Sequence, residues 1–151
     1  VSLCLSKGLG APVGSVLCGP AEFIKKAKRA RKMLGGGLRQ SGVLAACGLY
    51  ALENNVQRLS DDHTRAKTLA ERLTQMDGLD VDPADVETNM IWLKVPAERN
   101  MPLSAHMREL GIIVAEPSGR DRVVRLVCHL DIDDRHLDQL VDGFSSWLAG
   151  S

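Results

Sequence analysis

This 151-residue chain has no stretch apolar over the length a bilayer requires. Its longest nearly apolar run, Val43 to Leu52, falls far short of the roughly 20 residues that cross a hydrocarbon core. No membrane span is expected. The first residues, Val1-Ser2-Leu3-Cys4-Leu5-Ser6-Lys7, have no basic segment ahead of the apolar one, so no signal peptide is expected either. Paired cysteines are missing too. Cys4, Cys18, Cys47 and Cys128 stand singly in apolar contexts without CxxC spacing. That argues against a disulfide or zinc framework and points to reduced thiols in an intracellular, cytoplasmic protein, with any organelle-targeting segment ahead of Val1. The His residues are scattered, which implies no metal site. No Ser/His/Asp set and no acidic pair at glycosidase spacing stands out.

Net charge is also absent, but the zero conceals an asymmetry. Residues 1–40 hold eight Lys/Arg against one acid, Glu22, giving +7; residues 41–151 hold eleven against eighteen, giving −7. A broad nucleic-acid binder carries an overall basic excess, so nucleic acid is not the expected partner. The local excess suits a smaller anion: a phosphate group, or an acidic face on another subunit. With 44% hydrophobic and 25% charged residues, 14 Gly and 6 Pro, the composition is globular. It excludes collagen, coiled coil and disorder.

Val1–Leu5 reads as a buried strand already under way, so further sequence is expected upstream. A glycine-rich turn, Lys7 to Gly14, leads to a second strand at Ser15–Gly19. Pro20 opens a helix with Phe23, Ile24, Ala27, Ala30, Met33 and Leu34 as its apolar stripe and six Lys/Arg elsewhere. Gly35-Gly36-Gly37 stops it. Leu38 to Asn54 reads as a helix apolar nearly all round, hence buried. His63–Met76 is amphipathic. An acidic connector, Asp80–Asp85, marks a domain boundary, dividing residues 1–78 from residues 79–151. The second part alternates: strands at Asn89–Val95, Ile112–Ala115 and Val123–His129, a helix at Pro102–Leu110 closed by Gly111, and a final helix capped by Asp131 or Asp133.

Chemistry concentrates at few positions. Lys7, flanked by Ser6 and Gly8, sits where an apolar strand ends in a turn, a place α/β proteins put reactive groups. Apolar surroundings would disfavour its charged form, as an imine-forming amine requires; a solvated loop lysine is the plainer alternative. Gly8, Gly10 and Gly14 could cradle a phosphate, though the pattern is neither a P-loop nor a dinucleotide fingerprint. Arg39 after three glycines, at the start of the apolar helix, would join backbone amides in an anion site, or be a surface arginine. Arg125 lies inside Val123-Val124-Arg125-Leu126-Val127-Cys128-His129, on one face with Val123, Val127 and His129. Its charge there calls for a carboxylate, which fits its planar fork. That partner is either an internal Asp or Glu or a bound substrate.

Taken in order, these segments resemble one family. Leu5-Ser6-Lys7-Gly8-Leu9-Gly10-Ala11-Pro12-Val13-Gly14-Ser15 resembles the segment around the cofactor lysine of threonine aldolases, pyridoxal-phosphate enzymes of the aspartate-aminotransferase fold type. Arg31-Lys32-Met33-Leu34-Gly35-Gly36-Gly37-Leu38-Arg39-Gln40-Ser41-Gly42 resembles a second hallmark. Asn89-Met90 and Val124 to Asp131 resemble two more. The resemblance implies an α/β fold: the C-terminal part of a fold-type-I large domain, then a small α+β domain. It implies that Lys7 binds pyridoxal 5'-phosphate covalently and that Arg39 and Lys32 lie near its phosphate, presented by a neighbouring subunit. Arg125 would hold the α-carboxylate of a β-hydroxy-α-amino acid, with Ser6 and His129 as supporting pocket residues. The reaction implied is cleavage of threonine or allo-threonine to glycine and acetaldehyde in a homo-oligomer, a dimer or tetramer. A phosphate loop, a stacking ring, an acid for the pyridine nitrogen and a hydroxyl-activating histidine would all lie upstream, so the chain alone is expected to be inactive. Two other readings stay open: a non-catalytic remnant or subunit-interaction module, and a lyase or racemase of the same fold type with another reaction.

Overall fold

The computed structural model describes residues 1–97 and 101–150. Two compact units divide it, Val1–Arg58 and Leu59–Ser151. No helix among the described residues is long and apolar enough to cross a membrane.

In the first unit β1 (Ser2–Cys4) and β2 (Ser15–Leu17) form an antiparallel pair, with Leu3 opposite Val16. Helix α1 (Ala21–Met33) follows Pro20, whose fixed φ suits a helix start. Helix α2 (Gly42–Asn54) completes the unit. Two expectations fail here. The α1 stripe is not a core: α1 buries no residue, and Ile24, Ala27 and Ala30 reach only half-burial. The apolar α2 is not enclosed either, since within it only Gly48 and Ala51 are buried while Val43 is 72% exposed. Apolarity records what a helix can bury, and in this unit too little chain surrounds α2 to bury it.

The second unit holds a continuous core. Helix α3 (Leu59–Leu73), strands β3 (Met90–Lys94) and β4 (Val123–Val127), and helices α4 (Leu103–Glu109) and α5 (Asp134–Ala149) surround it. Residues at 3.6-residue spacing on α3, namely Ala66, Leu69, Ala70 and Leu73, meet Ile91 and Leu93 of β3, Val124 and Leu126 of β4, and Leu137, Phe144 and Trp147 of α5. Phe144 is fully buried; its truncation to Ala would cost about 3–5 kcal/mol. Outside the core, Arg65 and Arg72 of α3 pair with Asp134 and Asp138 of α5, both at 2.8 Å. The unit division therefore falls ahead of α3 rather than after residue 78, because the apolar stripe of α3 belongs to this core.

Strands β3 and β4 pair antiparallel, Met90 with Val127 through Lys94 with Val123. The strand expected at Ile112–Ala115 is absent: the described sheet has two strands. Beyond β4, the nearest approach to a ladder is a single bridge from Ser118 to Val123. Gly111, at φ +75, ends α4 as expected. Asp133 caps α5, accepting from the Arg135 and His136 amides while the His136 ring accepts from the Asp133 amide.

Candidate active site

Lys7 leaves β1 on a turn closed from several directions. The Gly10 N–H donates to the Lys7 carbonyl at 2.8 Å, with Gly10 at φ +72, a conformation glycine adopts without penalty. Leu5 N–H donates to Gly14 O at 2.9 Å, and Ala11 N–H returns to Leu5 O at 3.0 Å. Leu5, Leu9 and Ala11 are buried. Leu5 Cδ1 reaches to 3.0 Å from where a Cβ on Gly48 would stand, so a glycine in α2 is what lets the turn seat there. Two carbonyls after Lys7 are also held: Asn55 Nδ2 donates to Leu9 O at 2.7 Å and Arg58 Nη1 to Gly8 O at 3.3 Å. The Ser6 and Lys7 residues themselves are exposed, rather than set against apolar surface. Behind them Cys4 Sγ lies 3.5 Å from Ser6 Oγ, and hydrogen bonding from Ser6 holds that thiol below its usual range.

The glycine triplet folds back under the last turn of α1. Gly35 takes φ +83. Arg31 Cγ lies 2.8 Å from the Cβ point of Gly36, and Lys32 Cδ and Nζ lie 2.7 and 3.1 Å from that of Gly37. The Lys32 ammonium thus stands beside the backbone just ahead of Arg39. Arg39 is exposed and does not begin α2 as expected. Gln40, at φ +49, breaks the helical path, and α2 starts at Gly42.

In the second unit, alternation along β4 buries Val124, Leu126 and Cys128 and turns Val123, Arg125, Val127 and His129 to the opposite face. That matches the face read from sequence, but its environment differs: Arg125 is exposed, not enclosed in apolar surface. No hydrogen bond or ion pair to its guanidinium occurs among the described residues. The internal-carboxylate alternative is thereby removed for those residues. Arg125 and His129 share the wall of a cleft of ≈ 480 Å³, together with His136 and the segment Gly111–Ala115. His129 is half-buried, its Nδ1 3.3 Å from the Asp131 amide nitrogen and 3.7 Å from Asp131 Oδ2. Cys128, on the buried side, has its thiol pushed up to about 11, by burial first and by the Asp62 charge second.

Three residues escaped the sequence reading. Asn55 and Arg58 act on the Lys7 turn from 46 and 50 residues away, and no periodicity marks such a reach. Trp92 had a signal, the alternation Met90-Trp92-Lys94 opposite the buried Ile91 and Leu93. It stands 61% exposed across from Arg125. The bonds Cys128 N–H to Asn89 O and Val95 N–H to Arg122 O flank the ladder and make Trp92–Arg125 a non-hydrogen-bonded pair, where side chains come closest. Of the expected site residues, Ser6, Lys7, Lys32 and Arg39 lie in the first unit and Arg125 and His129 in the second.

In sequence the chain is similar to several threonine aldolases, and in fold to a wider set of enzymes. It is 46% identical over 149 residues to the low specificity L-threonine aldolase of Escherichia coli K12, an overlap of 98% of this chain and 42% of the relative. It is 49% identical over 138 residues to low-specificity L-threonine aldolase 1 of Arabidopsis thaliana, covering 87% of this chain and 37% of the relative. The chain therefore spans less than half the length of these relatives. Among solved structures it superposes on a Listeria monocytogenes protein assigned as an L-allo-threonine aldolase, with TM-score 0.72, 19% identity, and coverage of 96% of this chain and 43% of that one. The fold is thus mixed α/β and matches part of larger fold-type-I structures, among them an aspartate aminotransferase of Thermus thermophilus with TM-score 0.63 and 15% identity. The model of the beta-eliminating lyase family matches residues 1–96. With the Lys7 turn, the glycine triplet and β3 all inside that match, the chain belongs to the beta-eliminating lyase family.

Proposed function

We propose that the protein carrying this chain is a pyridoxal-phosphate-dependent aldehyde lyase that cleaves L-threonine and allo-threonine to glycine and acetaldehyde. The observation that carries this reading is Lys7, an exposed amine on a turn closed by backbone bonds, in a chain 46% identical to a low specificity L-threonine aldolase.

The residues present fit the cofactor. Lys7 offers a primary amine for the aldehyde carbon. Lys32, laid over Gly37 where a side chain would displace it, offers with Arg39 two cations for a phosphate. Bound pyridoxal phosphate supplies a sink for the electron pair released when Cα–Cβ breaks. Arg125, with no partner among the described residues, grips the substrate carboxylate through its two-pronged fork. That grip fixes the direction of the Cα–Cβ bond and selects it for cleavage over loss of the Cα proton. His129 lines the same cleft as Arg125. Ser6 stands beside Lys7 as a polar neighbour. Residues beyond this chain complete the site, and the chain by itself is inactive.

A homo-oligomer, dimer or tetramer, belongs to the same proposal. The exposed Val43, Leu49 and Tyr50 of α2 support it, and they equally support a second reading in which the chain serves as an interaction module. The full-length polypeptide decides between these. It is incubated with L-threonine, L-allo-threonine and an aromatic β-hydroxy amino acid, while glycine and aldehyde are measured against ammonia and 2-oxo acid. Glycine with acetaldehyde, lost in Lys7→Ala, supports the aldolase; ammonia and 2-oxo acid would assign elimination instead. No turnover, with a stable oligomer by light scattering, would favour the module.

A further inference from the structure

Three successive carbonyls in the Lys7 turn each accept a hydrogen bond. The Lys7 carbonyl is closed locally by Gly10 N–H. Those of Gly8 and Leu9 are reached from far along the chain, by Arg58 at 3.3 Å and Asn55 at 2.7 Å. The Asn55 bond is the shorter and is part-buried. Asn55 sits at the C-terminal end of α2, its own N–H engaged with the Ala51 carbonyl at 2.9 Å, so its side-chain amide is what the helix end presents to the turn. Leu5 and Leu9 are buried in the same turn, and Leu5 seats against Gly48. Gly8, Gly10 and Gly14 would otherwise leave this stretch many backbone conformations.

We infer that Asn55 is a positioning residue for Lys7: by holding the Leu9 carbonyl it fixes the direction in which the Lys7 amine leaves the turn. The inference rests on Lys7 as the cofactor-binding amine and adds the group that orients it. A turn free to rotate would present the amine over a spread of directions, and misplacements of about 1 Å are costly to a reaction that depends on alignment.

The neighbouring Asn54 is an internal control. Its Nδ2 donates to the Tyr50 carbonyl at 2.8 Å, wholly inside α2 and away from the Lys7 turn. The test uses the polypeptide at the full length of its relatives, loaded with pyridoxal phosphate, as wild type, Asn55→Ala, Asn55→Asp and Asn54→Ala. Two readouts are taken: kcat and KM for L-threonine, and the pH midpoint for borohydride trapping of the cofactor on Lys7, mapped by peptide. Asn55→Ala should lower kcat about 2- to 10-fold, the span of one hydrogen bond, with a smaller change in KM and a shifted trapping midpoint. Asn55→Asp, similar in size but without a donor, should do at least as much. Asn54→Ala should lose thermal stability without moving either readout. If Asn55→Ala and Asn54→Ala agree in kcat and midpoint, Asn55 is only a helix-end prop and the inference is overturned. Should Asn55→Ala fail to fold, Asn55→Asp answers: wild-type values in both readouts overturn the inference. Trapping on a lysine other than Lys7 in the wild type would instead overturn the cofactor reading, a result no variant comparison produces.

Discussion

Lys32 lies across Gly37, its Cδ and Nζ 2.7 and 3.1 Å from the point a Cβ on that glycine would occupy. An alanine at 37 must push the flexible end of the lysine aside, which the fold tolerates but the cation's position does not. In the full-length protein, Gly37→Ala should melt within about 2 °C of the parent. Its dissociation constant for pyridoxal phosphate should rise roughly 3- to 10-fold, measured by equilibrium dialysis. An unchanged constant would remove Lys32 from the phosphate side of the site.

Arg125 is exposed and makes no ion pair or hydrogen bond among the described residues, so its removal should leave stability nearly untouched. Charge-assisted bonds to a carboxylate contribute about 1.5–3 kcal/mol, so Arg125→Ala should raise KM for L-threonine roughly 10- to 150-fold. Arg125→Lys should recover only part, because an ammonium cannot make the planar two-point contact. A large loss of melting temperature with unchanged KM would mean that the residue is structural.

The cap of α5 makes a pH prediction. Asp133 accepts from Arg135 at 2.7 Å and from the His136 amide, and the Arg135 bond first of all pulls its carboxyl down from 3.8 to about 2. The folded state thus binds the proton less readily than the unfolded one. Its stabilising effect is complete above the unfolded value of 3.8, declines as pH falls below it and is gone below about 2. Melting temperature followed by circular dichroism should drop more steeply with acid between those limits in the parent than in Asp133→Asn. Parallel curves would sink the assignment.

The thiols should separate in a labelling experiment. Cys128 is buried and its thiol pushed up to about 11, so at pH 8 its reactive thiolate is about a thousandth of the total. Cys4, whose thiol is lowered by Ser6, and the exposed Cys18 should take iodoacetamide within minutes, whereas Cys128 should label only after denaturation. Early labelling at Cys128, found by mass spectrometry, would contradict its place in the core.

Much of the local structure was legible because local sequence causes it. Pro20 and the glycine at 35 bracket α1, Gly111 ends α4, and Asp133 was one of the two caps expected for α5. The period-2 pattern of β4 by itself places Arg125 and His129 on one face. The strand expected at Ile112–Ala115 shows where this reasoning stops: an apolar run can favour extended backbone, but a strand exists only where a neighbour accepts its hydrogen bonds.

By itself, then, the sequence determined most of the elements and their order, the faces of β4 and the resemblance that singled out Lys7, since each depends on residues a few positions apart. Tertiary structure alone decided that α3 joins the C-terminal core, that α2 keeps its apolar flank exposed, that Arg125 stands without an internal partner among the described residues, and that Asn55 reaches the Leu9 carbonyl across 46 residues. Contacts of that kind arise from how whole elements close around buried apolar surface, and a pairing so distant along the chain leaves no periodic trace in it.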